Sequence, residues 1–218
     1  MQRPSTAKIN NIFRQFLRPA GGGIRPKIQS PPCDVFINHR GIDTRRNVAG
    51  LLYHHLRSLR LRPFLDSQNM KPGDRLEDKI GEAIRECKIG VAVFSPMYCE
   101  SYFCLHELSL MMENRKKIVP IFCDVKPADL RVREYGSCPD KDVEKFRLAL
   151  EEAKNTVGLT FDTLRGDWPE FLSRATDAVV KNLIELEKEE SHIRNRKHKY
   201  HDHPSHLKSF SRDHHIKL

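Results

Sequence analysis

Residues 88–94 consist of Lys88-Ile89-Gly90-Val91-Ala92-Val93-Phe94, an almost uninterrupted run of apolar and β-branched side chains. A strand with one solvent-exposed face would alternate apolar and polar side chains. A continuous apolar run is typical of a strand in a parallel sheet that helices cover on both faces. The stretch therefore predicts a central, fully buried strand, and the segments before and after it complete the sheet.

Apolar runs on both sides of this stretch predict further strands at residues 34–37, 63–65 and 118–122. Pro120 lies inside the last of these runs and argues against a fully paired central position for it, because proline cannot donate a ladder hydrogen bond. Any fifth strand is expected near residues 158–163.

Segments with apolar side chains at helical spacing alternate with these strands. They predict helices over residues 45–60, 74–84, 102–115, 143–153 and 168–186. Asp74 and Glu77 have the three-residue spacing of a capping box, so we expect the second helix to begin at Asp74. Strand–helix alternation predicts an α/β fold, with an open, mainly parallel sheet of about five strands and helices on both faces.

The net charge of +9 is concentrated in the two ends of the 218-residue chain. Residues 1–33 contain six basic and no acidic side chains, and residues 191–218 contain seven basic and two acidic ones. Residues 34–190 therefore carry only −2. The basic character that would suggest nucleic acid or a membrane surface does not belong to the middle of the chain.

This distribution predicts a flexible basic leader at residues 1–32, a folded domain at 33–187 and a basic, histidine-rich, disordered tail at 188–218. The leader also has apolar residues at helical spacing among basic ones, a pattern shared by transit peptides and membrane-surface helices. The tail would bind divalent metal only adventitiously, because its spacing matches no closed zinc site. No apolar run approaches the roughly 20 residues that cross a bilayer.

Six cysteines occur without any C-x-x-C pair, which excludes a zinc ribbon and a thioredoxin motif. Cys87 and Cys123 lie in or beside apolar runs, as reduced core thiols do. No apolar secretory segment is present at the start, so we expect a reducing, cytoplasmic location.

Common catalytic signatures are absent: the sequence has no G-x-G-x-x-G after a strand, no Walker loop and no G-x-S-x-G. In open parallel sheets, ligands bind beyond the carboxyl ends of the strands. That rule selects residues 38–45, 66–75 and 95–107 as the segments in which to seek a site.

Glu107 stands out within the last of these segments. Phe103 and Met111 lie four residues before and after it, so its side of the helix is apolar. Such surroundings would remove water from the carboxylate and perturb its pKa, as happens at functional sites. An acid in the first turns of a helix is also favoured by the helix dipole alone. The spacing supports both interpretations equally.

Three ordered motifs resemble those of plant Toll/interleukin-1 receptor (TIR) domains. The first is Cys33-Asp34-Val35-Phe36-Ile37-Asn38-His39-Arg40-Gly41-Ile42-Asp43-Thr44-Arg45. The second combines Phe94-Ser95-Pro96-Met97-Tyr98 with Phe103-Cys104-Leu105-His106-Glu107-Leu108. The third is Ile118-Val119-Pro120-Ile121-Phe122-Cys123-Asp124-Val125-Lys126-Pro127-Ala128-Asp129-Leu130-Arg131. We expect a TIR-only protein, since the chain has no room for the nucleotide-binding and leucine-rich parts of a resistance receptor.

The resemblance implies a flavodoxin-like fold and cleavage of NAD⁺, with NADP⁺ as an alternative substrate, in plant immune signalling. NAD⁺ would be the substrate, so neither a cofactor nor a metal is implied. Glu107 takes the position of the family's catalytic glutamate, and Cys104 that of a cysteine near the substrate ribose. The loop that lines the nucleotide corresponds to Arg40, Gly41, Ile42, Asp43, Thr44 and Arg45. Gly73 and Arg75 fall in a loop that helps to build the active site across a neighbouring subunit, which implies self-association through the TIR domain.

Five positions differ from the usual pattern of the family. His39 replaces a phenylalanine, Ile42 an acid, Phe103 a tryptophan, and Gly50-Leu51 a Ser-His pair that supports self-association. We favour an NAD⁺ hydrolase and cyclase that forms ADP-ribose or cyclic ADP-ribose isomers. The differences at His39, Ile42 and Phe103 support a rival function, a non-enzymatic adaptor that binds other TIR proteins. Nucleic-acid binding through the basic ends is a third function, which the near-neutral middle does not favour.

Overall fold

The computed structural model describes residues 33–132 and 140–201, which form an α/β fold around one parallel sheet. Its strands are β1 (Val35–His39), β2 (Pro63–Phe64), β3 (Ile89–Phe94), β4 (Lys117–Cys123) and β5 (Leu159–Phe161). They lie in the order β2-β1-β3-β4-β5, and each neighbouring pair is parallel. The predicted fold class and the central place of residues 89–94 are confirmed.

Seven helices connect or follow the strands within the described residues. They are α1 (Gly41–Thr44), α2 (Val48–Ser58), α3 (Asp66–Asn69), α4 (Leu76–Glu86), α5 (Tyr102–Glu113), α6 (Asp140–Asn155) and α7 (Trp168–His201). Short 3₁₀ turns at Tyr98–Glu100 and Pro127–Asp129 follow β3 and β4. Helix α2 packs with α7, while α5 packs with α4 and α6, and all six residues of β3 are buried between these layers.

Two helices begin later than their apolar spacing predicts. Helix α2 starts at Val48, whose amide donates a hydrogen bond to the side chain of Asn47 at 2.6 Å. Helix α4 starts two residues after Asp74, because the Asp74 carboxylate instead accepts a hydrogen bond from the Lys71 amide at 2.9 Å and closes a turn. The predicted capping box at Asp74 is therefore wrong.

Pro120 does not move its strand to the edge of the sheet, because β4 lies between β3 and β5. Pro120 stands opposite Ala92 of β3, and pairing with β5 starts only at the next residue, Ile121. The carbonyl oxygen of Pro120 lies on the side of Gly158, the residue before β5. Pro120 therefore lacks its amide hydrogen at a position that precedes the pairing of β4 with β5. The loss of a sheet hydrogen bond is limited to this one residue.

The last helix, α7, continues beyond residue 186, where the apolar spacing ends, to His201. Residues 188–201 are thus helical, although composition predicts a disordered tail from residue 188. The leader (residues 1–32), Cys138 and the end of the tail (residues 202–218) lie outside the described residues. The domain limits at residues 33 and 187 remain predictions.

Aromatic rings pack in the core at the carboxyl end of β3. Phe94 is fully buried there, its ring stacks on Phe122 of β4 with centroids 5.3 Å apart, and the ring of Tyr98 lies edge-on at 4.7 Å. Cys87 and Cys123, predicted as core thiols, are buried and form no disulfide. Among the helices described, none is both long enough and apolar enough to cross a membrane.

Gly50, at the position where the family has a serine, is required by packing within this chain. A Cβ added there would lie 2.4 Å from the backbone carbonyl oxygen of Arg45. We expect Gly50→Ala to lower the free energy of unfolding in urea by about 1–3 kcal/mol, the usual cost of overpacking.

Gly81→Ala in α4 is the matched control for this packing prediction. Its Cβ would meet only the flexible end of the Arg85 side chain, at 3.1 Å. Alanine is favoured over glycine in a helix by about 1 kcal/mol, so this variant should be stabilised. Equal changes in the free energy of unfolding for the two variants would contradict the role assigned to Gly50.

Candidate functional site

The carboxyl end of β1 meets the start of α5. Asn38 and His39 are the last two residues of β1 and pair with the central strand β3. Ser101 caps α5 by accepting a hydrogen bond from the Cys104 amide at 3.3 Å. The first two sequence motifs are therefore brought together at one edge of the sheet, where ligands of open parallel sheets bind.

Glu107 lies in the second turn of α5, with its carboxylate directed at the end of β1. Asn38 Nδ2 donates a hydrogen bond to Glu107 Oε2 at 2.8 Å and another to the carbonyl oxygen of Cys104 at 3.1 Å. The hydroxyl of Tyr98 hydrogen-bonds to Asn38 Oδ1 and lies 3.1 Å from the same carbonyl. Asn38 and Tyr98 are fully buried, so water does not compete for these groups.

Glu107 is partly buried, and the loss of part of its hydration raises the pKa of its carboxylate from the ordinary 4.5 to about 8. The hydrogen bond from Asn38 acts in the opposite direction and favours the charged form, while the negative charge of Asp66 raises the pKa. Of the two interpretations that the spacing allows, the structure supports the desolvated carboxylate.

This raised pKa predicts that Glu107 destabilises the folded protein at alkaline pH. Between pH 4.5 and about 8, the folded protein keeps a proton on Glu107 that the unfolded chain releases. The folded state thus binds more protons, and stability falls as the pH rises through this range. Glu107→Gln removes this effect, so its Tm should exceed that of the wild type by more at pH 8 than at pH 5. Calorimetry measures this difference in Tm at each pH. A difference that does not depend on pH would contradict the raised pKa of Glu107.

The loop after β1 contains α1 and is held to the end of β3 by Asp43. Arg40 Nη1 donates a hydrogen bond to Asp43 Oδ1 at 2.7 Å, and Ser95 Oγ donates one to Asp43 Oδ2 at 2.5 Å. Within the loop, the side chain of Thr44 is buried, whereas that of Ile42 is 88% exposed. The loop therefore has a fixed backbone and presents Ile42 outward.

His39, which replaces the family's phenylalanine, links this loop to α3. Its Nε2 lies 3.4 Å from Asp66 Oδ1, and since a carboxylate only accepts, this ring nitrogen carries the hydrogen. Its Nδ1 lies 2.9 Å from Thr44 Oγ1. Arg45 Nη2 lies 3.6 Å from Asp66 Oδ2, and its guanidinium passes over Gly41, where a Cβ would come within 2.7 Å of it. The hydrogen bond from His39 lowers the pKa of Asp66, so this carboxylate stays charged beside the site.

Cys104 lies between Glu107 and the loop after β1. Its Sγ donates a hydrogen bond to the carbonyl oxygen of His39 at 3.4 Å. Burial raises the pKa of its thiol to about 12, and the negative charge of Glu107 acts in the same direction. The positive charge of Arg40 lowers the pKa of this thiol, and the negative charge of Asp43 raises it. Cys104 is therefore a neutral thiol near pH 7, unsuited to act as a nucleophile.

Gly73 and Arg75 stand apart from this group. Gly73 is exposed and has a φ of 99°, a left-handed conformation that favours glycine. The Arg75 side chain is exposed and pairs with Asp78 at 3.3 Å. Within the described residues, neither shares a hydrogen bond or ion pair with Glu107 or its partners. The structure brings together Glu107, Cys104 and the loop after β1, and leaves Gly73 and Arg75 on the surface.

Asn38, Tyr98, Ser95 and Asp66 complete the site. They lie within the segments 38–45, 66–75 and 95–107 selected from the strand ends, but none of them was predicted individually as a site residue. Asn38 had a detectable signal, because an amide inside an otherwise apolar strand must find hydrogen-bond partners when buried. Residues 33–132 and 140–201 contain no group of three or more His, Cys, Asp or Glu side chains placed to hold a metal ion.

Comparison with known proteins identifies the family. The protein-family model of the TIR domain matches residues 35–150 of the sequence, more than half of the chain. The chain belongs to the TIR-domain family. This TIR domain is 52% identical over 158 residues to the probable 2' cyclic ADP-D-ribose synthase BdTIR of Brachypodium distachyon, a match that covers 71% of the chain and 70% of BdTIR.

Resistance proteins also resemble this TIR domain. It is 33% identical over 141 residues to the TMV resistance protein N of Nicotiana glutinosa, a match that covers 57% of this chain and 12% of that protein. The TIR domains of the activated Roq1 resistosome, which directly recognises the pathogen effector XopQ, have a TM-score of 0.59 to it at 28% identity. That match covers 67% of this chain and 99% of the Roq1 TIR chain, so the TIR fold extends over the matched region.

Proposed function

We propose that this TIR domain cleaves the nicotinamide–ribose bond of NAD⁺ and releases nicotinamide with ADP-ribose or a cyclic ADP-ribose isomer, as an immune and cell-death signal. The observation that carries the proposal is the partly buried carboxylate of Glu107, held by a 2.8 Å hydrogen bond from Asn38 at the carboxyl edge of the sheet. BdTIR, about half identical in sequence, is named a probable 2' cyclic ADP-D-ribose synthase, which supports both cleavage and cyclisation.

One well-placed carboxylate is sufficient for this reaction. The nicotinamide of NAD⁺ is a cationic leaving group that departs neutral, so no general acid is needed. Bond breaking leaves an oxocarbenium-like ribose, as in glycoside cleavage. A fixed anion beside that sugar stabilises the developing positive charge, more strongly where water is excluded. We assign this role to Glu107.

Glu107 must be ionised to act in this way. With a pKa of about 8, it is largely protonated at neutral pH in the protein alone. A cationic nicotinamide ring beside it would favour the carboxylate, because an opposite charge lowers the pKa of an acid. Substrate binding would thus release the Glu107 proton to solvent and leave the carboxylate charge that the reaction requires.

The loop after β1 supplies groups for the rest of the dinucleotide. The Arg45 side chain is half exposed and its contact with Asp66 is long, so its guanidinium is available to a pyrophosphate. Phe103, 53% exposed at the start of α5, offers an aromatic face to a ring of the substrate. Capture of the sugar cation by water gives ADP-ribose, and capture by a nucleophile within the substrate gives a cyclic isomer. We place Gly73 and Arg75 at the active site of a neighbouring subunit, in keeping with their exposure.

The test is incubation of the purified full chain with NAD⁺, with nicotinamide release followed by chromatography and the products identified by mass spectrometry. Wild-type protein should release nicotinamide, and Glu107→Ala should not. Normal turnover by Glu107→Ala would overturn the assignment of the carboxylate. Absence of turnover at high protein concentration, with TIR–TIR association retained, would favour the non-enzymatic adaptor.

Partners and location are part of the same proposal. We infer self-association through the TIR domain and association with other TIR proteins, and we expect NADP⁺ as an alternative substrate. We also propose a cytoplasmic location for the protein. Nucleic-acid binding through the basic ends is less favoured. It would require a salt-sensitive affinity that disappears when residues 1–32 and 188–218 are removed.

A further inference from the structure

We propose that Asn38 is the positioning residue of Glu107, and that Tyr98 holds the Asn38 amide in the one orientation that this role allows. The inference rests on the proposed NAD⁺ cleavage, because it concerns how the carboxylate is presented to the sugar. It is carried by a continuous set of hydrogen bonds that runs from the buried Tyr98 through the buried Asn38 to the partly buried Glu107.

The chemistry of its partners determines which way the Asn38 amide faces. The Cys104 carbonyl oxygen can only accept, and it lies 3.1 Å from one end of the amide, so that end is the NH₂ group. The same NH₂ group lies 2.8 Å from Glu107 Oε2. The opposite end, Oδ1, accepts from the Tyr98 hydroxyl. A flipped amide would direct its oxygen at the Cys104 carbonyl, which can only accept, so the native orientation alone satisfies the network.

Rigid elements support both positioning groups. Asn38 lies on β1, where it is paired with Ala92 of the central strand. The Tyr98 ring is fully buried against Phe94, with centroids 4.7 Å apart. A side chain locked by packing on regular secondary structure holds its partner more accurately than one on a mobile loop. The hydrogen bond to Glu107 is therefore set by the core of the domain.

This geometry leaves one oxygen of Glu107 for the substrate. Within the described part of the chain, Asn38 is the hydrogen-bond partner found for the Glu107 carboxylate, and it engages Oε2. Oε1 then remains to face a ribose hydroxyl or the developing sugar cation. An N–H donor on Oε2 also favours the ionised form that the reaction requires.

Several other ionisable groups surround Glu107 and bear on its titration. Asp66, on α3, disfavours ionisation of Glu107 through its negative charge. Tyr98 and Cys104 both experience the charge of Glu107, and burial raises the pKa of each. Among these neighbours, Asn38 is the one whose hydrogen bond lowers the pKa of Glu107 and so counteracts the effect of burial.

Two substitutions test the proposal with NAD⁺ as the probe. Asn38→Leu removes the donor, and we expect kcat to fall on the order of 10- to 100-fold with KM within about threefold, since orientation rather than affinity is lost. The loss should be larger at pH 7 than at pH 9, because Glu107 becomes harder to ionise. Tyr98→Phe deletes one hydroxyl and should change kcat in the same direction by less. The two effects should be non-additive in the double variant, because they act through one network.

Matched controls separate positioning from a general loss of structure. Tyr53→Phe changes another buried tyrosine, on α2, and Asn182→Leu changes a half-buried asparagine on α7 that donates to the Ala178 carbonyl. Both should retain kcat within about twofold. If Asn38→Leu does not fold, the kcat of Tyr98→Phe and its dependence on pH test the proposal instead. A wild-type pH profile and kcat in Tyr98→Phe, or in a folded Asn38→Leu, would overturn the proposal.

A titration of Glu107 by NMR of carboxyl-labelled glutamate distinguishes this proposal from the proposed function. We expect Asn38→Leu, or Tyr98→Phe if the former is unfolded, to raise the pKa of Glu107 whether or not NAD⁺ is turned over. Absence of turnover by the wild type overturns the proposed function, while an unchanged pKa in the variants overturns the positioning role. Turnover lost in Glu107→Gln but intact in folded Asn38→Leu would remove the positioning role alone.

Discussion

Glu107→Gln is expected to lower kcat for nicotinamide release from NAD⁺ on the order of 100- to 1000-fold. Glutamine keeps the shape of the side chain, but its neutral amide cannot stabilise a positive charge on the ribose. The loss of one fixed electrostatic group at a transition state is typically of this size. Single-turnover measurements with excess protein would give the chemical step directly. The fold should persist, because the substitution also removes a desolvated acid from the core edge.

Glu113→Gln is the matched control on the same helix. Glu113 is half exposed and pairs with Lys145 at 2.9 Å, so it is a surface acid remote from the network of Asn38. Exposed ion pairs contribute about 0–1 kcal/mol, and this variant should keep its activity within about twofold. Glu107→Gln with more than a tenth of the wild-type rate, or Glu113→Gln with a comparable loss, would mean that the charge at Glu107 is not the catalytic feature.

Phe94→Ala is expected to lower the free energy of unfolding by about 3–5 kcal/mol. Phe94 is fully buried, and its ring contacts both Phe122 and Tyr98, so truncation leaves a cavity that the packed sheet cannot fill. A loss of that size is a large part of the stability of an ordinary domain. Urea unfolding followed by circular dichroism measures it. Because Tyr98 orients Asn38, NAD⁺ cleavage should fall as well in the fraction that remains folded.

Phe103→Ala provides the same chemical change at an exposed place. The Phe103 ring is half exposed at the start of α5, and its removal should cost less than about 1 kcal/mol of stability. Its effect should appear in KM for NAD⁺, if it contacts a substrate ring as proposed. A similar decrease in the free energy of unfolding in both variants would contradict the expectation that the loss depends on the burial of Phe94.

Local patterns in the sequence predict most of the secondary structure, and they fail where two local signals compete. The apolar run at residues 89–94 predicts β3 correctly, because burial on both faces leaves no alternation. Asp74 has the spacing of a helix cap, but its carboxylate closes the preceding turn instead. Pro120 indicates broken pairing, yet the sheet needs no hydrogen bond at that one position. At Asp74 the competing partner is the backbone amide of Lys71, which the spacing of side chains does not identify.

The sequence by itself determined the α/β alternation, the family motifs and Glu107 as an acid in an apolar row, since periodicity and motif order are properties of neighbours along the chain. Only the tertiary structure decided what holds that acid. Asn38 and Glu107 are 69 residues apart, and Tyr98 and Asn38 are 60 residues apart. Whether such groups meet depends on strand order and register, which bring the ends of β1 and β3 beside α5. The desolvation of Glu107 and the donor that opposes it are therefore consequences of packing.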